Sequence, residues 1–373
     1  MVKDVSEYSC MEYVAPFWKG DAVYAESVFV LENALGEIRP FRLAYPVRKV
    51  ISVRSADLRT TYEQNRDYRV NEYGELEIIR GGRIPYMEWK DYRFPVFDST
   101  RDDRIASADA LGAQLVGELF SDREGIRAYS LAVSYTHEES TRYDITKGKQ
   151  ERFVCVMRLL KEKHALTVVS YGDSITYGWA ASGMQDIRKP PFCKPYAEMV
   201  VDALGQKYAA DVRHVNCAVS GKCTDWGLED ESIASVTQEK PDLVILAFGM
   251  NDAGVFRPEV FEQNLRGIIS KIRKACPQTE FLLISPILPN PNTAFTAGSS
   301  IFNYHREYPH AFLAIERDTE GVGYANVTAV HERLLERKNL RDTLSNNVNH
   351  PNDFMHRVYA QVALKTLLGE EFS

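Results

Sequence analysis

Residues 165–178 read ALTVVSYGDSITYG. An almost unbroken apolar run ends on Gly172, Asp173 and Ser174, and that change of chemistry decides the fold class. A strand that is apolar on both faces is covered on both faces, which points to a parallel sheet between layers of helices. The chain repeats the pattern downstream. Strands are expected at VRHVNCAVS (212–220), DLVILAFG (242–249), EFLLISPIL (280–288) and YANVTAV (324–330). Helices are expected at 195–208, 258–276, 308–321 and, as a last amphipathic stretch, 353–368. In 258–276, Val260, Leu265, Ile268, Ile269 and Ile272 recur at helical spacing, with Glu, Lys and Arg opposite. Alternation of strand and helix makes this an α/β region whose functional loops follow the carboxyl ends of the strands.

Ahead of residue 160 the texture differs. Short β-rich runs, AVYAESVFVL (22–31), RKVISV (48–53), YSLAVSYTH (129–137) and RFVCVMRLL (152–160), are divided by turn signals. Asn71 to Gly74 separates two further runs and reads as a hairpin. Twelve of the 20 tyrosines lie in these 160 residues, and aromatic enrichment favours strands. An all-β sandwich is expected over 1–160, followed by the α/β domain over 161–373.

Composition bounds the function. Lys and Arg total 45 against 52 Asp and Glu in 373 residues, a net charge of −7. That balance excludes a constitutive nucleic-acid binder, which carries a basic patch. The six cysteines, Cys10, Cys155, Cys193, Cys217, Cys223 and Cys276, form no C-x-x-C pair, so no zinc site or disulfide framework is indicated. The N-terminus shows no basic leader followed by an apolar stretch, and no apolar run nears the ~20 residues of a membrane helix. A cytoplasmic protein without membrane partners is expected. Homo-oligomerisation is left open.

Each strand end carries chemistry. Ser174, just after the first strand, lies beside free backbone N–H groups, as a nucleophile with its own oxyanion site must. The bland alternative is an N-cap serine. The G-x-S-x-G elbow is not met, because Thr176 takes the last glycine position. After the second strand, Gly221 allows a close backbone approach; a phosphate loop is rejected because Asn216 and Cys223 stand where that motif needs Gly and Ser/Thr. After the third strand, Asn251 in G-M-N-D offers uncharged amide donors. Near the C-terminus, His350 in H-P-N precedes the closing helix and is placed to act as a base.

Ser174, Gly221, Asn251 and His350 occur in that order, three of them directly after parallel strands. Together, G-D-S-I-T, N-x-A-V-S-G, G-M-N-D and H-P-N resemble the four blocks of the SGNH hydrolases, the GDSL-like esterase and lipase superfamily, over about residues 165–370. The resemblance implies a three-layer, flavodoxin-like α/β domain with an all-β sandwich or jelly-roll domain ahead of it. It implies an acyl-enzyme on Ser174, with His350 as base and the Ser174 and Gly221 N–H groups and the Asn251 side chain as oxyanion hole. No metal or organic cofactor is implied. The family's orienting Asp, three residues before the histidine, is here Asn347, whose carbonyl oxygen is expected to accept the Nδ1–H bond, the alternative being a Ser-His pair aided by a backbone carbonyl; Asn347→Asp is expected to be active. The competing pair Asp353/His356 spells D-x-x-H within the closing helix. Tyr177 and Trp179 either wall the acyl side or pack the first helix. A small acyl ester, acetyl foremost, on an oligosaccharide or small molecule is the expected substrate. An acyltransferase or longer-chain lipase or thioesterase, and an inactive glycan-binding protein, are the alternatives.

Overall fold

A computed structural model describes residues 14–93, 118–120, 124–138, 142–293 and 303–372. Its elements begin with β1 (Ala22–Phe29), β2 (Lys49–Ser55), β3 (Thr61–Tyr62), β4 (Tyr68–Val70), β5 (Leu76–Ile78), the short helix α1 (Trp89–Arg93) and β6 (Ser130–Thr136). β1, β6, β2 and β3 form an antiparallel sheet in that order, and β4 and β5 form the hairpin expected around Asn71–Gly74. Asn71 closes that hairpin by accepting from the N–H groups of Tyr73 and Glu75 at 3.0 and 2.9 Å, the side-chain turn chemistry that suits asparagine here.

The run at 152–160 is not a strand. It forms α2 (Val154–Lys161), which packs against a later helix and the first parallel strand. Its buried residues, Val156, Met157 and Leu160, fall at helical spacing. The deciding contact is remote: the Glu280 carboxylate accepts from the N–H groups of Cys155 and Val156, both at 2.9 Å. A carboxylate there satisfies two of the orphan donors at a helix start and complements its dipole.

The second region holds β7 (Leu166–Gly172), α3 (Ser174–Tyr177), α4 (Tyr196–Tyr208), β8 (Val212–Asn216), β9 (Leu243–Ala247), α5 (Pro258–Ala275), β10 (Glu280–Ile284), α6 (Tyr308–Asp318), β11 (Val322–Ala325), α7 (Val327–Leu335) and α8 (Asp353–Leu368). The five strands are parallel in the order β11-β10-β9-β7-β8. Every residue of β9 and β10 is buried, as expected of a sheet covered on both faces. The strand order reverses about β7, so the crevice at the ends of β7, β8 and β9 is where such sheets bind ligands.

Two details depart from the expected elements. The run at 324–330 splits: β11 stops at Ala325, and Asn326 starts α7 by accepting from the Ala329 N–H at 3.0 Å, an N-cap bond. In α5 the buried stripe is Phe261, Leu265, Ile268, Ile269 and Ile272, whereas Val260 is exposed.

Helix α8 is not amphipathic in its setting. Residues Phe354 to Leu368 are all buried, because the parallel sheet covers one side and the N-terminal region covers the other. Two of its polar side chains serve that second contact. Arg357 donates to the carbonyls of Tyr24 and Ala25 at 2.7 and 2.8 Å, and Gln361 donates to Ala15 at 2.7 Å.

A bulge in β1 completes the join. The β1–β6 register shifts between Val23 and Glu26, and Ala25 sits at φ 47°. Such a bulge re-aims the following side chain, and Glu26 points inward with no exposure. There its carboxylate accepts from Lys338 Nζ at 2.5 Å, the Ala44 N–H at 2.8 Å and the Tyr135 hydroxyl at 2.7 Å. Lys338, from the turn after α7, is equally buried and also donates to Ser27 O at 2.9 Å.

Candidate active site

The local fold around Ser174 follows from its two predecessors. A Cβ on Gly172 would stand 2.1 Å from Ala247 O, so only glycine lets the end of β7 approach the end of β9. Asp173 is the N-cap of α3; its Oδ1 accepts from the Ile175 N–H at 3.0 Å and its Oδ2 from the Met250 N–H at 3.4 Å. One carboxylate thereby ties the serine loop to the asparagine loop. Burial raises Asp173 to about 7, with Asp252 nearby adding to the rise, so this carboxyl is ionised less readily than a free one beside the serine. Asp252, held by the N–H and hydroxyl of Thr224 at 2.7 and 2.5 Å, is likewise pushed up by burial, to about 6.

Ser174, at the first position of α3, is 5 % exposed. Its Oγ lies 3.0 Å from His350 Nε2. Gly221 follows β8 at φ 75°, a left-handed conformation that glycine adopts without strain. Asn251 Nδ2 donates to the carbonyl of Lys222 at 3.1 Å, drawing the asparagine to the loop that carries Gly221. One amide hydrogen of Asn251 and the backbone N–H groups of Ser174 and Gly221 make no hydrogen bond among the described residues. The structure therefore brings Ser174 to His350 and ties the Gly221 and Asn251 loops to each other and to Asp173.

It does not bring Asn347 to His350. Asn347 is fully buried at φ 61°. Its Nδ2 donates to Leu119 O at 2.8 Å and to the Tyr92 hydroxyl at 3.1 Å, and its Oδ1 accepts from Asn290 Nδ2 at 3.0 Å. The orienting role expected of it has no contact behind it. Asn347→Asp would set a carboxylate against the Leu119 carbonyl, so the expected activity of that variant gives way to a loss of stability of about 1–3 kcal/mol, measured by urea denaturation.

Among the described residues, Asn346 reaches Nδ1 of His350. Its Oδ1 accepts from the N–H groups of Val348, Asn349 and His350 at 2.9, 3.0 and 3.0 Å. This fixes the amide so that Nδ2 lies 3.1 Å from His350 Nδ1. An amide nitrogen donates, so the contact suits the tautomer with its proton on Nε2. A base acting on Ser174 needs the other tautomer. Asn346→Asp supplies an acceptor for Nδ1–H and a negative charge beside the ring, which favours the imidazolium. The acid limb of kcat/KM in Asn346→Asp is expected to move to higher pH than in the wild-type chain. This contact falls to the residue before Asn347; the signal for Asn346 is an Asn followed by three residues whose N–H groups it gathers into one turn.

The competing pair is not at the serine. Asp353 Oδ1 accepts from the Ser182 N–H at 2.8 Å, and His356 Nε2 pairs with the carbonyl of Trp179 at 3.0 Å. Burial pushes His356 down to about 4, so it donates as a neutral ring. Trp179 in turn stacks on His350, with ring centroids 6.2 Å apart and planes 11° apart, while its Nε1 donates to Ser220 Oγ at 2.5 Å. Tyr177 turns its hydroxyl to Asp186 at 3.1 Å. No three His, Cys, Asp or Glu side chains converge as a metal site among the described residues. The five described cysteines are free thiols, and Cys10 lies outside the described residues. No helix among the described residues is long and apolar enough to cross a membrane.

A parallel five-stranded sheet with a serine after β7, beside the central strand β9, and a histidine in the loop before α8 is an arrangement of the SGNH class. Residues 170–358 match the GDSL-like Lipase/Acylhydrolase family, and the chain belongs to that family. No curated protein matches the chain. Among solved structures, it is similar to a two-domain esterase (CEX) active on acetylated mannans, co-crystallised with mannopentaose, at 22% identity and a TM-score of 0.45 over 58% of this chain and 53% of that one. The chain thus spans about half the length of that esterase. It is also similar to a GDSL-like lipase from Parabacteroides merdae ATCC 43184, at 17% identity, TM-score 0.45, over 54% of this chain and 95% of that one. A third is a catalytic mutant of Axe2, an acetylxylan esterase from Geobacillus stearothermophilus, at 20% identity, TM-score 0.43, over 54% and 95%.

Proposed function

We propose that the chain is a serine esterase that removes small acyl groups, acetyl foremost, from a carbohydrate through an acyl-enzyme on Ser174. The observation that carries this reading is the 3.0 Å approach of Ser174 Oγ to His350 Nε2, beside unused donors on Ser174, Gly221 and Asn251. His350 Nε2 takes the hydroxyl proton as Oγ attacks the ester carbonyl. The N–H groups of Ser174 and Gly221 and the Asn251 amide receive the developing oxyanion. The imidazolium then protonates the departing sugar oxygen, and in the second half-reaction His350 activates water to release the acid.

A small acyl group is supported by Trp179, whose indole fills the space against the base. A carbohydrate is supported by two half-buried indoles, Trp179 and Trp226, on the segments after β7 and β8, since flat aromatic faces suit sugar rings. In the same reading the N-terminal region is an accessory domain. With α2 packed on the α/β side, we place its boundary ahead of Val154.

The test is turnover on p-nitrophenyl esters of increasing chain length, with acetylated oligosaccharides alongside. Acetate esters are expected to be the fastest; octanoate faster than acetate would overturn the small-acyl reading. Asn251→Ala is expected to lower kcat by about 10²–10³ with little change in KM, the usual loss for one oxyanion donor. An unchanged kcat would remove Asn251 from the site.

A further inference from the structure

A groove with about 550 Å³ of space opens where α1 meets the turn after α7, a size that suits a small ligand. The ester chemistry gives it no task. Trp89, Arg39, Arg42, Arg337 and Arg341 line it, together with Glu32 and Glu37. Most of these charges are already matched. Arg42 pairs with Glu75 at 3.0 Å, Glu32 with Arg80 at 2.7 Å, and Glu37 with Arg39 at 3.9 Å.

Two guanidiniums have no carboxylate in ion-pair contact among the described residues, although Arg341 feels the buried Asp342. Arg337 donates Nε to Leu43 O at 3.0 Å, and Arg341 lies over the Tyr92 ring at 5.9 Å. Neither forms an ion pair with a carboxylate among the described residues, and Arg341 Nε is buried without a hydrogen-bond acceptor. A covered donor left unpaired in a native fold calls for an explanation. So does a local excess of positive charge on a chain of net charge −7.

We propose that this groove binds an oligosaccharide bearing carboxylate groups, with a carboxylate held by Arg337 and Arg341 and a sugar ring against Trp89. Guanidinium matches carboxylate as a planar fork, and a neutral glycan would leave both arginines without an ion-pair contact. A nucleic acid would need a longer basic track than this groove offers. The saccharide part rests on the carbohydrate reading above; the anion part rests on the arginines alone. The groove is also within reach of the catalytic loop, because Tyr92, beneath Arg341, accepts from Asn347, three residues before His350.

The experiment titrates the full chain, by calorimetry, with trigalacturonate, with neutral xylotriose and with inorganic phosphate. Trigalacturonate carries no ester, so binding is read apart from hydrolysis. It is expected to bind, more weakly as salt is raised, and to bind at least about tenfold tighter than xylotriose. Arg337→Gln alone, and Arg337→Gln with Arg341→Gln, are expected to lose that preference while p-nitrophenyl acetate turnover stays at the wild-type level. Equal affinity for the two trisaccharides, or arginine variants that bind trigalacturonate as the wild type does, would overturn the proposal. Phosphate binding without trigalacturonate binding would overturn the saccharide part. A chain that binds trigalacturonate yet leaves acetylated oligosaccharides untouched keeps the groove and loses only the substrate reading.

Discussion

Ser174→Ala is expected to lower turnover on p-nitrophenyl acetate by about 10⁴–10⁶-fold while leaving the unfolding transition in place. The size follows from what is removed: the attacking oxygen, and with it the two-step route through an acyl-enzyme. The fold is spared because the turn around Ser174 is held by backbone bonds to its carbonyl and by Asp173 acting on Ile175 and Met250, not by the Ser174 hydroxyl. His350→Ala is expected to cost a similar factor, and the double variant hardly more, since nucleophile and base act as one unit. His356→Ala separates the two histidines. It leaves the Trp179 carbonyl without its 3.0 Å partner and is expected to cost stability by about 1–3 kcal/mol with most of the turnover retained. An active His350→Ala beside a folded, dead His356→Ala would transfer the base to the Asp353/His356 pair. Near-native turnover in Ser174→Ala would end the acyl-enzyme reading altogether.

Lys338→Ala is expected to destabilise the chain by about 3–5 kcal/mol, the cost of leaving one partner of a buried ion pair alone. Both side chains of the Glu26–Lys338 pair are fully buried, so water cannot replace the lost ammonium. Glu26 would keep its bonds from Ala44 and Tyr135 but would hold a carboxylate in an apolar interior. Adding Glu26→Gln is expected to recover part of the loss, because the amide is neutral and can still serve Ala44 and Tyr135. Chemical denaturation followed by near-UV and far-UV circular dichroism gives the test. The two signals should shift together in Lys338→Ala, since the pair joins the N-terminal region to the α/β region. An unchanged midpoint, or two separate transitions, would show that the join contributes little.

Much of this site was legible in one dimension. Ser174, Gly221, Asn251 and His350 each follow an apolar run or precede a periodic one, and the parallel sheet brings the ends of such runs to one edge. What was not legible depended on distant partners. RFVCVMRLL reads as a strand until Glu280, 125 residues from Cys155, caps it as a helix. YANVTAV reads as one strand because its break rests on a single Asn326 side chain. Asn347 looked like the orienter because spacing in sequence cannot say which of two adjacent asparagines turns inward. The left-handed backbone at Asn347 aims its side chain at Tyr92 and leaves Asn346 facing the base. The polar residues of α8 read as a solvent face, and only the N-terminal region covering them makes that face interior.

That placement of α8 has a consequence for how the chain reaches its native state. The helix is the shared wall of two regions, yet its partners in β1 lie 333 and 332 residues away along the chain. The N-terminal region cannot finish its core from its own contiguous segment. Closure over so long a stretch is entropically slow, and proteins dominated by such contacts fold late and pass through partly assembled states. Until α8 docks, the inner faces of β1 and of the parallel sheet both stand open as apolar surface. Folding of this chain should therefore end in a single late docking step, with aggregation competing until it is complete.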